Sequence, residues 1–450
     1  MTPIPSDSAT RALERIAGAD RFGVHGRVRR VIGQVVEATS LEVAVGEVCR
    51  IAVGPDAGVL ALVAGFDERG VMLTPIGELE GIQPGAVVRP MGRSLYVDVG
   101  DGVVGRVLDG MGRPMDGLGS VGRTIRRSLN AEPPNPLDRT RISEPMGTGV
   151  RAIDGLITLG QGQRIGIMAG SGVGKSVLLG MVARRTTADI NVIALLGERG
   201  REVREFIERD LGPEGLRRSV VVVATSDQPA VIRATGALVA TAIAEFFRDT
   251  GRNVLLMMDS VTRVAMALRE IGLAVGEPPA TKGYPPSVFA ALPRMLERAG
   301  RARVGSITGL YTVLVEGDDF NEPVADAARS ILDGHIVLSR SLASAKHFPA
   351  IDVLESVSRV RDQIISPEHL AAANTLMRLE SAYRAQEDLI AVGAYQGGTD
   401  PLVDAALEFR EDILAFLRQP SHDESNFELA REQLLQLVAK VRVAERRPAA

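Results

Sequence analysis

The sequence predicts a multidomain α/β protein with a small N-terminal β-barrel, a central domain built on a mostly parallel sheet, and a C-terminal helical domain. Three observations support this fold class. A chain of 450 residues is too long for one hydrophobic core. Short β-branched runs come first, and longer apolar runs that alternate with helical patterns follow them. From about residue 366 onward only helical periodicity remains.

Composition narrows the possible classes of function. Apolar residues make up 45% and charged residues 24% of the chain, as in soluble globular proteins. The formal net charge of −4 argues against a broad nucleic-acid-binding surface. The single cysteine, Cys49, excludes an intramolecular disulfide and is expected to be a buried small residue. We find no run of about 18 apolar residues and no signal-peptide pattern, so any membrane role is expected to come through partners.

The N-terminal part is predicted to hold a short helix followed by the barrel. The helix covers residues 1–20, with Ser8 as its cap, and is either a decoration of the fold or a docking handle. Over 21–90, turns recur about every eight to twelve residues between β-branched runs, which is typical of a small closed or nearly closed barrel. Nothing in this segment suggests catalysis, so we interpret it as an assembly or packing module.

The central domain is expected over 91–365 and begins with a Gly- and Pro-rich connecting region at 91–145. Near-continuous apolar runs then suit parallel strands that helices bury on both faces. These runs are QRIGIMAG, INVIALLG, SVVVVAT, NVLLMMD and RVGSITGLYTVLV. The C-terminal helical domain is expected over 366–450.

The strongest chemical signal is AGSGVGKSV at 169–177, directly after the first of these runs. Glycines let backbone amides wrap phosphates, and the following helix points its positive end at them. Lys175 is expected to reach the β- and γ-phosphates of a nucleotide, and Ser176 to ligate Mg²⁺. Ala169 replaces the first glycine of the usual pattern, and the alternative is a turn that binds no ligand. The predicted phosphate-binding residues are Gly170, Ser171, Gly172, Val173, Gly174, Lys175, Ser176 and Val177.

Three acidic residues follow predicted strands. Asp259 ends the run NVLLMMD and is expected to hold Mg²⁺ through water, although an acid there is often only a helix cap. Glu198 follows INVIALLG and is expected to orient and polarise the attacking water. Glu202 lies one helical turn further and is a candidate for the water shell of Mg²⁺. The alternative for Glu198 and Glu202 is stabilisation of a helix start through its dipole.

Three arginines are candidates for binding the γ-phosphate. Arg199 and Arg263 are predicted to lie near the same crevice. Arg359 is far along the chain, and a guanidinium brought to the γ-phosphate would spread its developing charge over several donors. The alternative for each arginine is an ordinary salt bridge, and Arg359 has Asp352 and Glu355 close by in sequence.

Several longer segments carry a family resemblance that runs from about residue 21 to 450. They are MAGSGVGKSVLLG, LLGERGREVREF, DSVTRVAMALREIGLAVGEPP, GYPPSVFAALPRMLERAG, LVEGDDFNEPVADAARSILDGHIVLSR and FPAIDVLESVSRV. With them the chain resembles the catalytic β-subunits of rotary ATP synthases, and most closely the type III secretion ATPases. The resemblance implies an N-terminal β-barrel, a RecA-like P-loop domain and a C-terminal helical domain, with ATP and Mg²⁺ as ligands.

The resemblance also assigns roles to individual residues. It implies that Glu198 orients water, that Arg199 and Arg263 bind the γ-phosphate, and that Arg359 is an arginine finger reaching the neighbouring subunit's site. A finger acting in trans implies a homohexamer. Phe348 matches an aromatic residue that stacks on adenine, and the alternative is a core phenylalanine.

Function and partners are expected from the same resemblance. We expect Mg²⁺-dependent ATP hydrolysis that energises flagellar protein export at the cytoplasmic face of the inner membrane, where the protein would associate peripherally through partners. The expected partners are a stator-like regulator at the N-terminal region, the export gate, chaperones and export substrates, and no nucleic acid. The alternatives are an injectisome ATPase, a Rho-type nucleic-acid translocase and a non-hydrolysing structural subunit.

Two departures from the synthase β-subunit pattern accompany the resemblance. The acidic segment that couples a synthase β-subunit to its rotor is replaced by GAYQGGTDPLVDAAL, which argues against a synthase subunit. The second aromatic residue expected near adenine is replaced by Ser421, after Gln419-Pro420, which puts tight adenine selectivity in question.

Overall fold

The computed structural model describes residues 24–39, 41–54, 57–315 and 322–445. The chain divides into two compact units between Leu95 and Tyr96. The helix predicted at 1–20 lies outside the described residues.

The first unit is a closed antiparallel barrel, as predicted. Its strands pair in the order β1-β2-β5-β4-β3-β6. Alternate side chains, among them Val36, Ile51 and Leu73, fill the interior. Cys49 is fully buried there, and burial raises the pKa of its thiol to about 11. The strands are β1 Gly26–Ile32, β2 Val35–Ala38, β3 Glu47–Ala52, β4 Gly58–Asp67, β5 Gly70–Pro75 and β6 Val87–Ser94.

The first residue of β5 must be glycine. Gly70 has φ of +134°, and a Cβ added there would lie 2.0 Å from the carbonyl oxygen of Ala38. Any other residue would clash with the neighbouring strand at this position.

The second unit begins with strands that the sequence did not reveal. β7 (Tyr96–Val99) pairs with β9 (Ile125–Ser128), and β8 (Val107–Asp109) joins the edge of the main sheet. Two short strands, β10 (Pro145–Met146) and β11 (Leu159–Gly160), form a separate ladder. The region interpreted as a connection therefore also supplies a strand to the central sheet.

The main sheet has nine strands within the described ranges. Its path is β19-β18-β12-β17-β15-β13-β14-β8, and β16 pairs with β17. All pairs from β18 to β8 are parallel, whereas β19 and β16 are antiparallel to their neighbours. The predicted apolar runs are confirmed as parallel strands β12, β13, β14, β15 and β17. The strands are β12 Arg164–Ala169, β13 Ile190–Leu196, β14 Ser219–Ala224, β15 Asn253–Asp259, β16 Gly300–Arg301, β17 Ser306–Leu314, β18 Gly334–Leu338 and β19 Ile351–Ser358.

Helices cover both faces of this sheet and form the C-terminal segment. Those of the central part are α1 Arg151–Leu156, α2 Lys175–Arg185, α3 Gly200–Glu205, α4 Gly212–Arg217, α5 Ala230–Asp249, α6 Val261–Ala274, α7 Pro286–Leu296, α8 Pro323–Ile331 and α9 Arg340–Ser344. A π-helical turn, Phe206–Leu211, joins α3 to α4. The later helices are α10 Arg361–Ile364, α11 Pro367–Ala391, α12 Pro401–Glu408, α13 Arg410–Leu417 and α14 Phe427–Glu445.

Helix α5 corrects one expectation from the sequence. It is long and apolar enough, by length and composition, to cross a membrane, although we had found no such segment. Charged residues such as Arg233 and Glu245 interrupt its small and apolar residues, so the sequence shows no uninterrupted apolar run of this length. In the fold, 72% of its apolar window is buried, and the helix packs against β13 and β15.

The C-terminal helices pack onto the sheet domain. Leu376 of α11, Phe416 of α13 and Leu434 of α14 belong to the same hydrophobic cluster as Ile165 of β12. Ser366 accepts a hydrogen bond from the amide of His369 and caps α11. The predicted helical segment is thus confirmed, and it shares one core with the parallel sheet.

Candidate active site

The parallel strands bring the predicted residues to one edge of the sheet. In the ladders, Met168 lies beside Val313, Met258 beside Tyr311, and Leu195 beside Asp259. The carboxyl ends of β12, β17, β15 and β13 are therefore neighbours in that order. Segments that follow these strands converge in one crevice, which is where ligands bind in open parallel sheets.

The loop at 170–174 follows β12 and leads directly into α2. Gly172 and Gly174 have φ of +79° and +86°, a conformation that favours glycine. Val173 is buried and anchors the loop, whereas Ser171 and Gly172 are exposed. Helix α2 has no side-chain cap, so its first amide groups remain available to an anion.

Lys175 is the first residue of α2, and its ammonium group lies between two acids. Its Nζ is 2.5 Å from Oδ1 of Asp259 and 3.4 Å from Oε1 of Glu198. Burial acts to lower the pKa of Lys175, but the charges and hydrogen bonds of the two carboxylates raise it above the usual lysine value. The lysine therefore stays protonated. Ser176 follows on the first turn of the same helix.

Asp259 ends β15 and is held by a residue that the sequence did not reveal. Thr312 is fully buried on β17, and its hydroxyl donates to Oδ1 of Asp259 at 2.7 Å. The strand holds four hydroxyl residues, Ser306, Thr308, Tyr311 and Thr312, so the sequence alone did not single out Thr312. Helix α6 is capped by Ser260, whose side chain accepts from the amide of Arg263. Asp259 is thus not the helix cap of the alternative interpretation.

Glu198 lies two residues after β13, and its side chain is largely buried. Burial raises the pKa of its carboxyl group above 4.5. The negative charge of Asp259 and hydrogen bonding with Glu202 also raise this pKa, whereas the positive charges of Lys175 and Arg263 lower it. The amide of Ser226 donates to the carbonyl oxygen of Glu198 at 3.0 Å and fixes the backbone.

Arg199 and Glu202 occupy the outer side of the crevice. Their side chains pair at 3.3 Å and are 82% and 44% exposed. Arg263 is closer to the carboxylates, because its side chain packs over Gly197, directly before Glu198. Its buried Nε has no hydrogen-bond partner among the residues that the structure describes. Of the two arginines expected near the crevice, Arg263 is therefore the inner one.

Arg340 is a second residue that the sequence analysis missed. It follows β18, which ends at the same edge as β12, and its guanidinium group covers Gly170. A Cβ added to Gly170 would lie 2.7 Å from Nε of Arg340, so a larger residue there would displace this guanidinium group. The position of Arg340 two residues after the short apolar run of β18 was the signal that could have identified it.

Phe348 lines a cavity of about 550 Å³ beside the loop. The side chain is 41% exposed, and its ring packs against Gly174. Residues 418–421, including Ser421, and Val177 also line this cavity. This placement on a cavity wall differs from the core position considered for Phe348 as the alternative.

Arg359 lies at the opposite edge of the sheet. It follows β19, which runs antiparallel to β18, and Ser358 pairs with Gly334 at the beginning of β18. Its side chain is exposed, and we find no ion pair for it among the described residues. Asp352, the expected salt-bridge partner, instead pairs with Arg384 at 2.9 Å.

Comparisons with known proteins agree with this architecture. The nucleotide-binding domain of the ATP synthase alpha/beta family matches residues 149–358, and the family's beta-barrel domain matches 28–92. The chain belongs to this family. A third match, to the T3SS EscN ATPase C-terminal domain over 365–436, indicates the type III secretion branch of the family.

Individual members of the family are similar over most of the chain. A flagellum-specific ATP synthase of Bacillus subtilis is 55% identical over 90% of this chain and 93% of its own length. A type 3 secretion system ATPase of Xanthomonas euvesicatoria is 50% identical over 96% and 98%. The assembled ATPase EscN of enteropathogenic E. coli is 48% identical and superposes with a TM-score of 0.87 over 92% of this chain and all of its own. EscN has also been solved with its central stalk EscO, with a TM-score of 0.85 to this chain.

These matches confirm the fold class and the expected ATPase of type III secretion, flagellar or injectisome. They favour this function over a Rho-type translocase. Within this family, the arrangement of Lys175, Glu198 and Asp259 around the loop defines the candidate active site.

Proposed function

We propose that this chain is the Mg²⁺-dependent ATPase of flagellar type III protein export and works as a homohexamer. The observation that carries the proposal is the convergence of Lys175, Asp259 and Glu198 at the start of α2. Each of these residues comes from a different segment of the chain. The carboxylates of Glu198 and Asp259 lie within 3.4 Å and 2.5 Å of the ammonium group of Lys175.

The phosphates of ATP would bind along 170–176. The amides of the loop and of the first turn of α2 donate to phosphate oxygens, and Gly172 and Gly174 permit the required turn. Lys175 would bind the β- and γ-phosphates, which requires its charged form. The raised pKa of Lys175 keeps that form at neutral pH.

The donor set at this edge fits Mg²⁺. Ser176 offers a hydroxyl oxygen and Asp259 a buried carboxylate, and oxygen ligands with retained waters are what Mg²⁺ prefers. Thr312 fixes the orientation of that carboxylate. When bound, Mg²⁺ neutralises charge on the β- and γ-phosphates. Glu202 is the candidate for its water shell.

Glu198 would orient the attacking water and accept its proton. Its carboxyl group lies 3.4 Å from Nζ of Lys175, so it would be close to a γ-phosphate bound by that lysine and could act as the base for a water in line with the transferred group. Arg263, held over Gly197, would stabilise the developing charge, and Arg199 would assist from the outer side. Phe348 would stack on the adenine in the cavity beside Gly174.

Arg359 would act on the site of a neighbouring copy. Strand β12 separates the two edges of the sheet and has six residues, which at about 3.3 Å per residue makes roughly 20 Å. An arginine side chain cannot span this distance to its own chain's loop. A second copy of the chain must therefore receive Arg359 if it acts as a finger, and a closed ring of six supplies one finger to every site.

Mixing two inactive variants tests this arrangement. Arg359→Ala subunits keep an intact loop, and Lys175→Ala subunits keep an intact finger. Rings that contain both are expected to recover part of the ATPase activity at interfaces that combine the intact halves. Absence of recovery at every mixing ratio would contradict a finger acting in trans.

Flagellar export is proposed over injectisome secretion because identity to the Bacillus subtilis relative exceeds that to the Xanthomonas relative. The second candidate is retained because EscN, a secretion-system ATPase, superposes over nearly the whole chain. Expression in a flagellated host that lacks its own export ATPase tests the choice. Restored export of flagellar subunits is expected, whereas restoration of effector secretion alone would favour the injectisome.

Partners and location follow from this function. We expect a stalk-like protein in the ring, as in the EscN complex, a stator-like regulator at the N-terminal region, and contacts with the export gate, chaperones and substrates. The protein would be cytoplasmic and held at the inner membrane by these partners. No nucleic acid is expected, and RNA-stimulated turnover that falls steeply with salt would contradict this.

A further inference from the structure

A buried hydrogen-bond network holds the end of β19, where Arg359 begins. The amide of Arg359 donates to the carbonyl oxygen of Asp333 at 3.0 Å. The hydroxyl of Ser358 donates to the carbonyl oxygen of Thr158 at 2.9 Å. Both contacts anchor the backbone from which the exposed guanidinium group extends.

Gln163 lies at the centre of this network and is fully buried. Its Nε2 donates to the carbonyl oxygen of Asp333 at 3.1 Å and to the hydroxyl of Ser358 at 3.1 Å. Its Oε1 accepts from the amide of Gly160 at 2.9 Å. The side-chain amide thus uses both donors and its acceptor on backbone and hydroxyl groups around Arg359.

Arg164, the residue after Gln163, also binds Asp333. The amide and Nε of Arg164 donate to Oδ2 of Asp333 at 3.0 and 3.2 Å. The amide of Asp333 donates in return to the carbonyl oxygen of Arg164 at 2.7 Å. Asp333 is therefore fixed to the start of β12 on its backbone and its side chain, and Arg359 is fixed to Asp333.

We propose that Gln163 is a positioning residue for Arg359 and so serves the active site of the neighbouring copy. This inference rests on the proposed action of Arg359 in trans. Gln163 precedes β12, whose other end leads into the chain's own phosphate-binding loop, so proximity in sequence suggests a role in the chain's own site. The contacts of its side chain point instead to the far edge, where the finger begins.

The reason for a buried amide at this position is geometric. An exposed arginine that must meet a phosphate in another subunit needs a fixed backbone origin, because small displacements of a catalytic group reduce the rate strongly. A glutamine can hold Asp333 and Ser358 at once with its two N–H groups, whereas an apolar side chain of the same length holds neither.

The test is the variant Gln163→Met, which keeps the length of the side chain and removes its hydrogen bonds. We expect kcat to fall about tenfold to hundredfold, with an unchanged KM for ATP and unchanged binding of a non-hydrolysable ATP analogue. Gln161→Met, two residues earlier at a half-buried position, is the matched control and should retain activity. Thermal unfolding of each variant reports whether the fold is kept.

Mixed rings then assign the side on which Gln163 acts. Gln163→Met subunits should regain activity with Lys175→Ala subunits, which supply an intact finger, and should not regain it with Arg359→Ala subunits. The reverse pattern would place Gln163 in its own chain's site and overturn the inference, as would full activity of Gln163→Met. If Gln163→Met does not fold, Ser358→Ala removes the contacts of the Ser358 hydroxyl with Gln163 and Thr158 and is scored by the same two mixtures.

The mixture of Lys175→Ala with Arg359→Ala subunits distinguishes a failure of the role of Gln163 from a failure of the proposed action of Arg359 in trans. Recovery in that mixture, together with the wrong pattern for Gln163→Met, would refute only the role of Gln163. Lack of recovery in that mixture would refute the finger in trans, and the inference would fail with it.

Discussion

Replacing Thr312 with valine tests how the site holds its acidic residue. Valine keeps the shape of threonine but removes the hydroxyl that donates to Asp259 at 2.7 Å. A hydrogen bond to a charged group contributes about 1.5–3 kcal/mol, and each 1.4 kcal/mol is about a factor of ten in an equilibrium or a rate. Lys175 contacts the same oxygen of Asp259 as Thr312 does, but it would turn to the phosphates when ATP binds. Thr312 would then be the donor that still holds this carboxylate. We therefore expect kcat/KM for Mg²⁺-ATP to fall about tenfold to hundredfold for Thr312→Val.

The assay is ATP hydrolysis as a function of Mg²⁺ concentration at fixed ATP. Thr312→Val should need more Mg²⁺ for half-maximal activity, and Thr312→Ser, which keeps the hydroxyl, should resemble the wild type. Thr308→Val is a matched control on the same strand, because the Thr308 hydroxyl accepts a hydrogen bond from the amide of Gly162 at 2.8 Å, far from the crevice. An unchanged Mg²⁺ dependence in Thr312→Val, or the same change in Thr308→Val, would refute the reasoning.

Two further predictions concern charge. The pKa of Glu198 is raised above 4.5, so its carboxyl group keeps its proton to higher pH than a free glutamate. Because the base must be deprotonated, kcat/KM for ATP should rise with pH through a midpoint above 4.5, and a midpoint at or below that value would contradict the assigned base. Arg298 pairs with Glu245 at 2.8 Å, with side chains 3% and 1% exposed. Arg298→Ala leaves the buried Glu245 with only a 3.7 Å contact to Arg127 and should cost about 3–5 kcal/mol of unfolding free energy in denaturant titrations. Arg303→Ala, whose side chain is 78% exposed, should cost about 1 kcal/mol or less, and equal losses in the two variants would refute the argument.

The parallel strands and the phosphate-binding loop could be predicted because their signals are local. A strand buried on both faces must be apolar at nearly every position, and β13 and β14 are buried along their full length. The loop is identified by glycines and by Lys175 and Ser176 within nine residues of sequence. Neither signal depends on residues far away in the chain.

Elements defined by distant pairing were not predicted. Strand β8 has three residues and exists because Val107 pairs with Val221, far along the chain. Strand β19 is only partly buried and alternates between buried and exposed positions near its end, so it lacks the continuous apolar run that marks the central strands. Helix α5 is apolar on average, but its small residues and a few charges break up the apolar run in the sequence.

The same limit applies to the site. Thr312, Arg340 and Gln163 lie in segments that we interpreted as strands, turns or family sequence, and their contacts cross more than fifty residues of chain. Only the fold shows that a hydroxyl on β17 meets the acid on β15. Arg359 was assigned through the family resemblance, and its position at the far edge of the sheet is what makes an action in trans necessary for that assignment.

Glutamine in place of Glu198 tests the central claim most directly. The variant keeps the size and hydrogen-bonding reach of the side chain but cannot accept the proton of water. The account predicts that Glu198→Gln binds Mg²⁺-ATP with nearly wild-type affinity while its single-turnover hydrolysis rate falls by about a hundredfold or more. Wild-type turnover in this variant, or loss of nucleotide binding together with turnover, would contradict a site in which Lys175 grips the phosphates and Glu198 activates the water.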